Sequence, residues 1–149
     1  MNIELAIEVA ARICSRWEGL YLKPYLCPAG IPTIGKGSTH YEDGTAVTLH
    51  DPAITPERAD ALLLHELSHE CLPAILKYCP EIDTPDRLAA ILDFVYNLGS
   101  GRLKTSTLRR KINARQWVDV PTELMKWNKA GGKVLRGLTL RRQVEANLI

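Results

Sequence analysis

Apolar residues recur every three or four positions in several stretches of the chain, which is the spacing of one face of an α-helix. The first such stretch spans residues 2–17. Two more helices are predicted to start at Thr55 and Thr84, because each Thr is followed by Pro, and this pair suits a helix N-cap and first turn. The helix after Thr55 is expected to run towards Pro73 and stop there. The helix after Thr84 has the most apolar face and is predicted to be the central core helix, ending near residues 97–99. Further helices are predicted at 105–113, 121–129 and 138–148.

Residues 19–54 follow a different pattern. Glycines and prolines punctuate short β-type pieces here, among them residues 32–35. We therefore predict an α+β fold in one domain, residues 1–149. It has a β-rich lobe at about 19–54, a helical lobe formed by 1–18 and 55–149, and a cleft between the two.

Charge is divided unevenly along the chain. Residues 1–100 contain 7 Lys/Arg and 14 Asp/Glu, a formal charge of −7, whereas residues 101–149 contain 12 and 3, a charge of +9. The basic third would attract polyanions, although a solvated helical surface explains it equally well. No nucleic-acid-binding motif accompanies it. No apolar run approaches the ~18 residues that span a bilayer, and residues 1–17 lack the layout of a secretory signal, so we expect a protein made in a cytoplasm.

The four cysteines show no Cys-x-x-Cys metal spacing. Free thiols in a reducing compartment are the preferred interpretation of Cys14, Cys71 and Cys79. A Cys71–Cys79 disulfide in an oxidising space remains open from spacing alone.

The densest chemical signal lies in residues 18–39, which begin Glu-Gly-Leu-Tyr-Leu and contain Pro-Thr-Ile-Gly-Lys-Gly. One carboxylate, Glu18, closes the first predicted helix and stands at the edge of the Gly/Pro-rich lobe, where a ligand can reach it. A carboxyl group that is partly desolvated at such a boundary suits general acid catalysis. A solvated helix Glu is the ordinary alternative.

This block resembles the signature of phage-type lysozymes, the endolysin muramidases of glycoside hydrolase family 24. Later segments match the same family in order, including Ala90–Gly101, Ser106–Leu108, Trp127–Lys133 and Arg141–Glu145. The resemblance implies a lysozyme-like fold and hydrolysis of the β-1,4 bond between N-acetylmuramic acid and N-acetylglucosamine. The implied partner is a peptidoglycan glycan strand, with no cofactor, no metal, no nucleic acid and no stable membrane insertion. The protein is expected to be a monomer that stays in the host cytoplasm until a separate membrane lesion, such as that of a holin, releases it to the wall in the periplasm.

The resemblance assigns catalytic roles to Glu18 as acid, Thr33 as the hydroxyl that holds the attacking water, and Cys27 at the position of the family's second acidic residue. Most members carry Asp where this chain has Cys27. As a thiolate, Cys27 could assist water, stabilise positive charge at the sugar carbon, or attack that carbon. The resemblance implies inversion, whereas attack by Cys27 would imply retention. As a neutral thiol it would only pack.

Three further residues fall where the family contacts glycan: Tyr96, Asn97 and Thr107. Each has a structural alternative. Tyr96 fits the core, and Thr107 fits a helix N-cap.

A competing motif is His65-Glu66-Leu67-Ser68-His69, a literal H-E-x-x-H that on a helix could bind zinc for a peptidase or amidase. No His follows His69 as a third ligand, and both His lie on the flank that usually meets water. We therefore interpret them as surface residues. A third alternative is a wall-binding or nucleic-acid-binding module that has lost its activity, against which Glu18 and Thr33 argue.

Overall fold

Eight α-helices and two β-hairpins form the structure, a computed structural model that describes all residues 1–149. The helices are α1 (Ile3–Glu18), α2 (Pro56–Glu66), α3 (Leu72–Tyr78), α4 (Pro85–Leu98), α5 (Ser100–Lys104), α6 (Thr107–Asn113), α7 (Val120–Met125) and α8 (Arg136–Ala146). The strands are β1 (Tyr21–Leu26), β2 (Pro32–Gly35), β3 (Lys129–Ala130) and β4 (Lys133–Val134). The architecture is α+β, as predicted.

Side-chain caps fix the starts of the predicted helices. The Thr55 hydroxyl accepts from Arg58 N at 3.1 Å, and the Thr84 hydroxyl accepts from Arg87 N at 3.2 Å. Each bond satisfies one of the amides that the first helical turn leaves unpaired. Both predicted starts are confirmed.

Pro73 does not end its helix, and that prediction is wrong. A π-helical turn, Leu67–Cys71, follows α2, and Pro73 then lies in the first turn of α3, where a missing backbone N–H costs nothing. The predicted helix 121–129 is also too long. It stops at Met125, and the β3–β4 hairpin follows, turning at Gly131 and Gly132 with φ of 58° and 78°. Helix α5 was not predicted.

Helix α4 is the centre of the core. Every residue from Leu88 to Val95 is buried, and α4 packs against α1 on one side and α8 on another. Asp93 is the one charged residue in that run, and its exposed fraction is 0%. A carboxylate in such a place requires partners, and α1 and α8 supply them.

The β1–β2 hairpin directly follows α1 and is antiparallel, with Tyr25 opposite Thr33 and Leu26 opposite Pro32. Isolated bridges at Ile34–Ser38 and His40–Ala46 continue this region towards α2. The Tyr96 hydroxyl of α4 donates to Lys36 O at 2.6 Å, which ties the loop after β2 to the helical core.

No helix of the structure is long and apolar enough to cross a membrane.

Candidate active site

Glu18 is the last residue of α1, and Gly19 ends the helix with φ of 72°. The Glu18 side chain is 22% exposed, so it is neither sealed in the core nor free in water. Arg141 of α8 donates from Nη1 to Glu18 Oε1 at 2.8 Å. One carboxylate oxygen is therefore held by a guanidinium, and Oε2 has no hydrogen-bond partner in the protein.

Gly37 leaves room for that second oxygen. A Cβ added at Gly37 would lie 2.8 Å from Glu18 Oε2, closer than a side-chain carbon is ever found. The φ of Gly37 is 89°, which also disfavours any other residue. The loop after β2 thus approaches the carboxylate by its bare backbone.

Arg141 is itself fixed from behind. Its Nε donates to Asp93 Oδ2 at 2.9 Å and its Nη2 donates to Asp93 Oδ1 at 2.8 Å. Burial alone would lower the pKa of Arg141, but its bonds with Asp93 raise it, so this guanidinium is permanently charged. A two-pronged Arg–carboxylate pair restricts the orientation of both groups. The buried Asp93 therefore fixes the orientation in which the Arg141 guanidinium binds Glu18.

Glu145 is the other fully buried carboxyl group of the cluster. Burial raises its pKa far above the usual range, and the neighbouring Asp93 raises it further. Its Oε1 accepts from Arg142 Nη2 at 2.7 Å, and its Oε2 is buried without a hydrogen-bond partner. Asp93 also accepts from Cys14 Sγ at 3.1 Å. Asp93 thus has two side-chain partners, the Arg141 guanidinium and the Cys14 thiol.

Cys27 follows β1 at the end of the hairpin, and Thr33 lies in β2. Backbone N–H groups of the hairpin turn, that of Ile31 first and then that of Ala29, lower the pKa of the Cys27 thiol. Hydrogen bonds to the charged form of a group favour that form, so the hairpin turn stabilises a Cys27 thiolate. Thr33 is buried, and its Oγ1 donates to Ile31 O at 2.8 Å.

Tyr25 lies on the same hairpin as Cys27. Burial raises the pKa of the Tyr25 phenol, and the neighbouring acidic groups of Tyr21, Glu18 and Cys27 raise it further. The ring of Tyr25 packs on Tyr21 with centroids 4.1 Å apart. Glu18 thus lies at the end of α1, and the hairpin that carries Cys27 and Thr33 follows it in the chain.

The other three predicted residues lie on the helical side. Tyr96 is half-buried and donates to the backbone of Lys36, as described above. Asn97 accepts from Arg142 Nη2 at 2.9 Å. Thr107 is the first residue of α6, and its hydroxyl accepts from Arg110 at 2.9 Å. The N-cap of α6 is Ser106 rather than Thr107, since the Ser106 hydroxyl accepts from Arg109 N.

The H-E-x-x-H residues do not converge as metal ligands. The rings of His65 and His69 stack in parallel with centroids 4.2 Å apart, and His69 Nδ1 is within 3.2 Å of His65 O. Nowhere are three or more His, Cys, Asp or Glu side chains grouped so that they could hold a metal ion. Glu66 instead faces a cavity of about 190 Å³ beside Glu70 and Tyr96. The zinc-peptidase alternative is not supported.

All four cysteines are free. Burial raises the pKa of Cys71 to about 12 and that of Cys79 to about 11, and burial with Asp93 beside it raises the pKa of Cys14. Cys27 differs from them in both its exposure and the direction of its pKa shift.

Arg141, Asp93, Glu145 and Gly37 were not predicted as part of the site. One signal was available for Asp93, a lone charge within the apolar run of the predicted core helix. Nothing near Glu18 in sequence indicates Arg141, which lies 123 residues away.

Known proteins resemble this chain over nearly its whole length. Residues 15–145 match the family model described as "Phage lysozyme". An endolysin of Acyrthosiphon pisum secondary endosymbiont phage 1 is 37% identical over 141 residues, which cover 91% of this chain and 91% of that protein. A SAR-endolysin of Bacteriophage PS119 is 33% identical over 135 residues, covering 88% of this chain and 75% of that protein.

Two solved structures are similar to this chain in fold. The endolysin from Escherichia coli O157:H7 phage FAHEc1 superposes with a TM-score of 0.82 at 29% identity, covering 99% of this chain and 92% of that one. A P22 lysozyme mutant gives a TM-score of 0.79 at 29% identity, with 93% of each chain covered.

Proposed function

Because the chain belongs to the phage lysozyme family, we propose that Glu18, Cys27 and Thr33 are the catalytic residues of a peptidoglycan-lysing glycoside hydrolase. The bond it cleaves is the β-1,4 linkage between N-acetylmuramic acid and N-acetylglucosamine. The observation that carries the site assignment is the setting of Glu18. Its Oε1 is held by a buried Arg141, and its Oε2 lies against the bare backbone of Gly37.

In this mechanism Glu18 is the general acid. Protonation of the leaving glycosidic oxygen requires a carboxyl oxygen that points to the substrate and is not bound to the protein. Oε2 meets that condition. Arg141 keeps the carboxyl plane fixed, because Asp93 holds the guanidinium at two points, and a fixed donor loses little entropy when substrate arrives.

Cys27 and Thr33 supply the opposite side of the reaction. The hairpin turn stabilises the Cys27 thiolate, and a negative charge there would stabilise the positive charge that develops on the sugar. Thr33 would orient the water. We propose that Cys27 assists this water, giving inversion, since the family resemblance implies that outcome. A thiolate that attacked the sugar carbon would give retention instead.

Tyr96, Asn97 and Thr107 are proposed to contact the glycan from the helical side. Tyr96 also holds the loop of Gly37 through Lys36 O, which supports a position at the edge of the cleft. Asn97 uses its carbonyl oxygen for Arg142, so its amide N–H groups are the part left for a sugar.

The proposed place of action is the cell wall in the periplasm, with the protein held in the host cytoplasm until a separate membrane lesion releases it. The names of the relatives, endolysin and SAR-endolysin, support action on the wall. We propose that the protein acts as a monomer.

Mass analysis of the fragments released from purified peptidoglycan tests the reaction. A muramidase releases fragments that end in reducing N-acetylmuramic acid and leaves the stem peptides whole. Fragments with cut peptides, or activity abolished by a chelator, would contradict the assignment.

Replacement of the acid tests the site. Glu18→Gln keeps the shape and an acceptor for Arg141 but removes the proton donor, so the rate should fall by a factor of about 10²–10⁴. Glu8→Gln is the matched control, since Glu8 is exposed on the same helix and has no ion pair. Thermal unfolding of both variants should resemble that of the parent protein. An active Glu18→Gln variant would refute the role of Glu18.

A further inference from the structure

A second cleft lies away from Glu18, between α5 and α6. It has a volume of about 490 Å³ and is lined by Lys104, Thr105, Ser106, Arg109, Arg110 and Asn113. We name it the α6 basic cavity. No apolar side chain lines it, so an acyl chain or an aromatic ligand would find no hydrophobic contacts there. Its size is within the range of about 300–1,000 Å³ that is usual for ligand pockets.

The positive charge of the cavity is not neutralised within the protein. None of Lys104, Arg109 and Arg110 lies within 4.0 Å of a carboxylate. The sequence explains this, because no Asp or Glu occurs between Asp93 and Asp119. Two basic side chains in the same stretch do have acidic partners, Lys111 with Asp119 and Arg115 with Glu81 and Asp83. The three basic side chains that line the cavity have none.

Arg109 is oriented before any ligand arrives. Its Nε donates to Tyr78 O at 2.8 Å and its Nη1 donates to Lys104 O at 3.0 Å. Its guanidinium also lies over the Tyr78 ring at 5.0 Å. Carbonyl oxygens and a ring fix the group but carry no full negative charge, so Arg109 Nη2 remains a charged donor without a partner in the protein. Binding an anion there costs little side-chain entropy.

Additional free donors surround this fixed guanidinium. Lys104 Nζ makes no hydrogen bond within the protein, and it lies over the Tyr78 ring at 5.8 Å. Arg110 uses only Nη2, for the Thr107 hydroxyl, so its Nε and Nη1 are free. A tetrahedral phosphate can accept from all of these donors, whereas a planar carboxylate presents two oxygens in one plane.

We propose that the α6 basic cavity binds the phosphate group of a sugar or polyol phosphate. This function is separate from glycan hydrolysis, because none of the residues proposed for catalysis lines the cavity. A hydrophilic phosphate ester fits a cleft whose lining is entirely polar. The ester could be a free small molecule or a repeat of an anionic envelope polymer, and the two are separated by the experiment.

The test is calorimetric titration of the full-length protein at constant ionic strength, with chloride as the balancing anion. The ligands are inorganic phosphate, glycerol 3-phosphate, a short poly(glycerol phosphate), and acetate as the carboxylate control. Three proteins are compared: the parent, Lys104→Ala/Arg110→Ala, and Lys129→Ala/Lys133→Ala. The last pair lies in the exposed β3–β4 hairpin without ion pairs, so both double variants lower the net charge equally.

The parent and the hairpin variant should bind phosphate and glycerol 3-phosphate equally, and the cavity variant should bind them about tenfold more weakly, since it loses two charged donors. Tighter binding of the polymer than of glycerol 3-phosphate identifies a polymeric ligand, and equal binding per phosphate identifies a small one. Acetate binding as tight as phosphate binding, or equal weakening in both double variants, would overturn the proposal. Glu18→Gln should bind phosphate like the parent, so the result is independent of the proposed catalytic site.

Discussion

At the scale of single residues, Cys27 is the thiol whose surroundings favour ionisation. Burial makes Cys14, Cys71 and Cys79 poor thiolates, while the hairpin turn lowers the pKa of Cys27. A thiol reagent at neutral pH should therefore modify Cys27 first and inactivate the enzyme. Peptide mass mapping locates the label. Labelling of a buried cysteine before Cys27 would contradict this order.

The charge at residue 27 should matter more than its shape. Cys27→Ser should lower the rate by about 10²-fold, because a hydroxyl stays neutral and cannot balance a developing positive charge. Cys27→Asp should retain much more activity, because its carboxylate is charged at neutral pH. Full activity of Cys27→Ser would show that the thiol only packs, and the chemistry would then rest on Glu18 and Thr33.

The pH dependence of these variants separates the two roles of Cys27. If the thiolate is the active form, the activity of the parent rises as pH rises through the lowered pKa of Cys27. In Cys27→Asp that rise should move to acid pH, since the pKa of an Asp is ordinarily about 3.9. Rate measurements on a soluble glycan across the pH range give both curves. Identical curves would exclude a titrating Cys27.

At the scale of elements, the loop after β2 approaches Glu18 so closely that residue 37 has no room for a side chain. Gly37→Ala should lower activity strongly, because the new methyl group would push the Glu18 carboxylate from its position. Its effect on stability should be modest, about 1–2 kcal/mol from the strained φ. Gly44→Ala is the matched control, since Gly44 has nearly the same φ, 85°, and open space around it. Both variants should lose similar stability in urea unfolding, but only Gly37→Ala should lose most of its activity. Equal activities would show that the close approach has no catalytic role.

Glu66, the last residue of α2, is another carboxylate in a costly position. Burial and the neighbouring Glu70 raise the pKa of Glu66 to about 7. The stability gained from protonated Glu66 is complete below its ordinary pKa near 4.5 and is lost as pH rises through 7. A pKa raised from 4.5 to about 7 corresponds to about 3 kcal/mol in the free energy of unfolding. Glu66→Gln, which is neutral at every pH, should therefore be more stable than the parent by about that amount at pH 8 and nearly equal at pH 4. Glu8→Gln should show no such gain, and a Glu66→Gln protein less stable than the parent at pH 8 would contradict the assignment.

Local sequence signals predicted elements well where a single rule applied. Thr-Pro starts held at α2 and α4 because capping involves only neighbouring residues. The predicted 121–129 helix failed because helical periodicity was followed past Asn128. The Gly131-Gly132 pair, a typical turn of a two-residue hairpin, was the better local signal there. Pro73 failed as a stop because the preceding π-helical turn moves it into the first turn of a new helix.

At the scale of the whole molecule, the site depends on contacts that no local pattern reveals. Glu18, Cys27 and Thr33 are close in sequence, in α1 and the hairpin that follows it. Their support is distant, because Arg141 comes from α8 and Asp93 from the middle of α4. The family motif could therefore indicate the residues proposed to react, whereas only the packing of α1, α4 and α8 shows how Glu18 is held.

The same whole-molecule view gives a last prediction, on charge. Residues 1–100 carry −7 and residues 101–149 carry +9, and the α6 basic cavity lies within the positive part. The positive part should speed adsorption to an anionic wall through long-range attraction, which salt screens over ~10 Å at 0.1 M and ~3 Å at 1 M. Lysis of intact walls should therefore slow with added salt more than hydrolysis of a short neutral glycan, whose encounter with the enzyme involves no net charge. Turbidity loss for walls and reducing-end release for the glycan measure the two rates in the same buffers. If salt slowed both reactions equally, it would be screening charges at the catalytic site, which both substrates meet. The excess of positive charge in residues 101–149 would then have no role in adsorption and would serve only as a solvated helical surface.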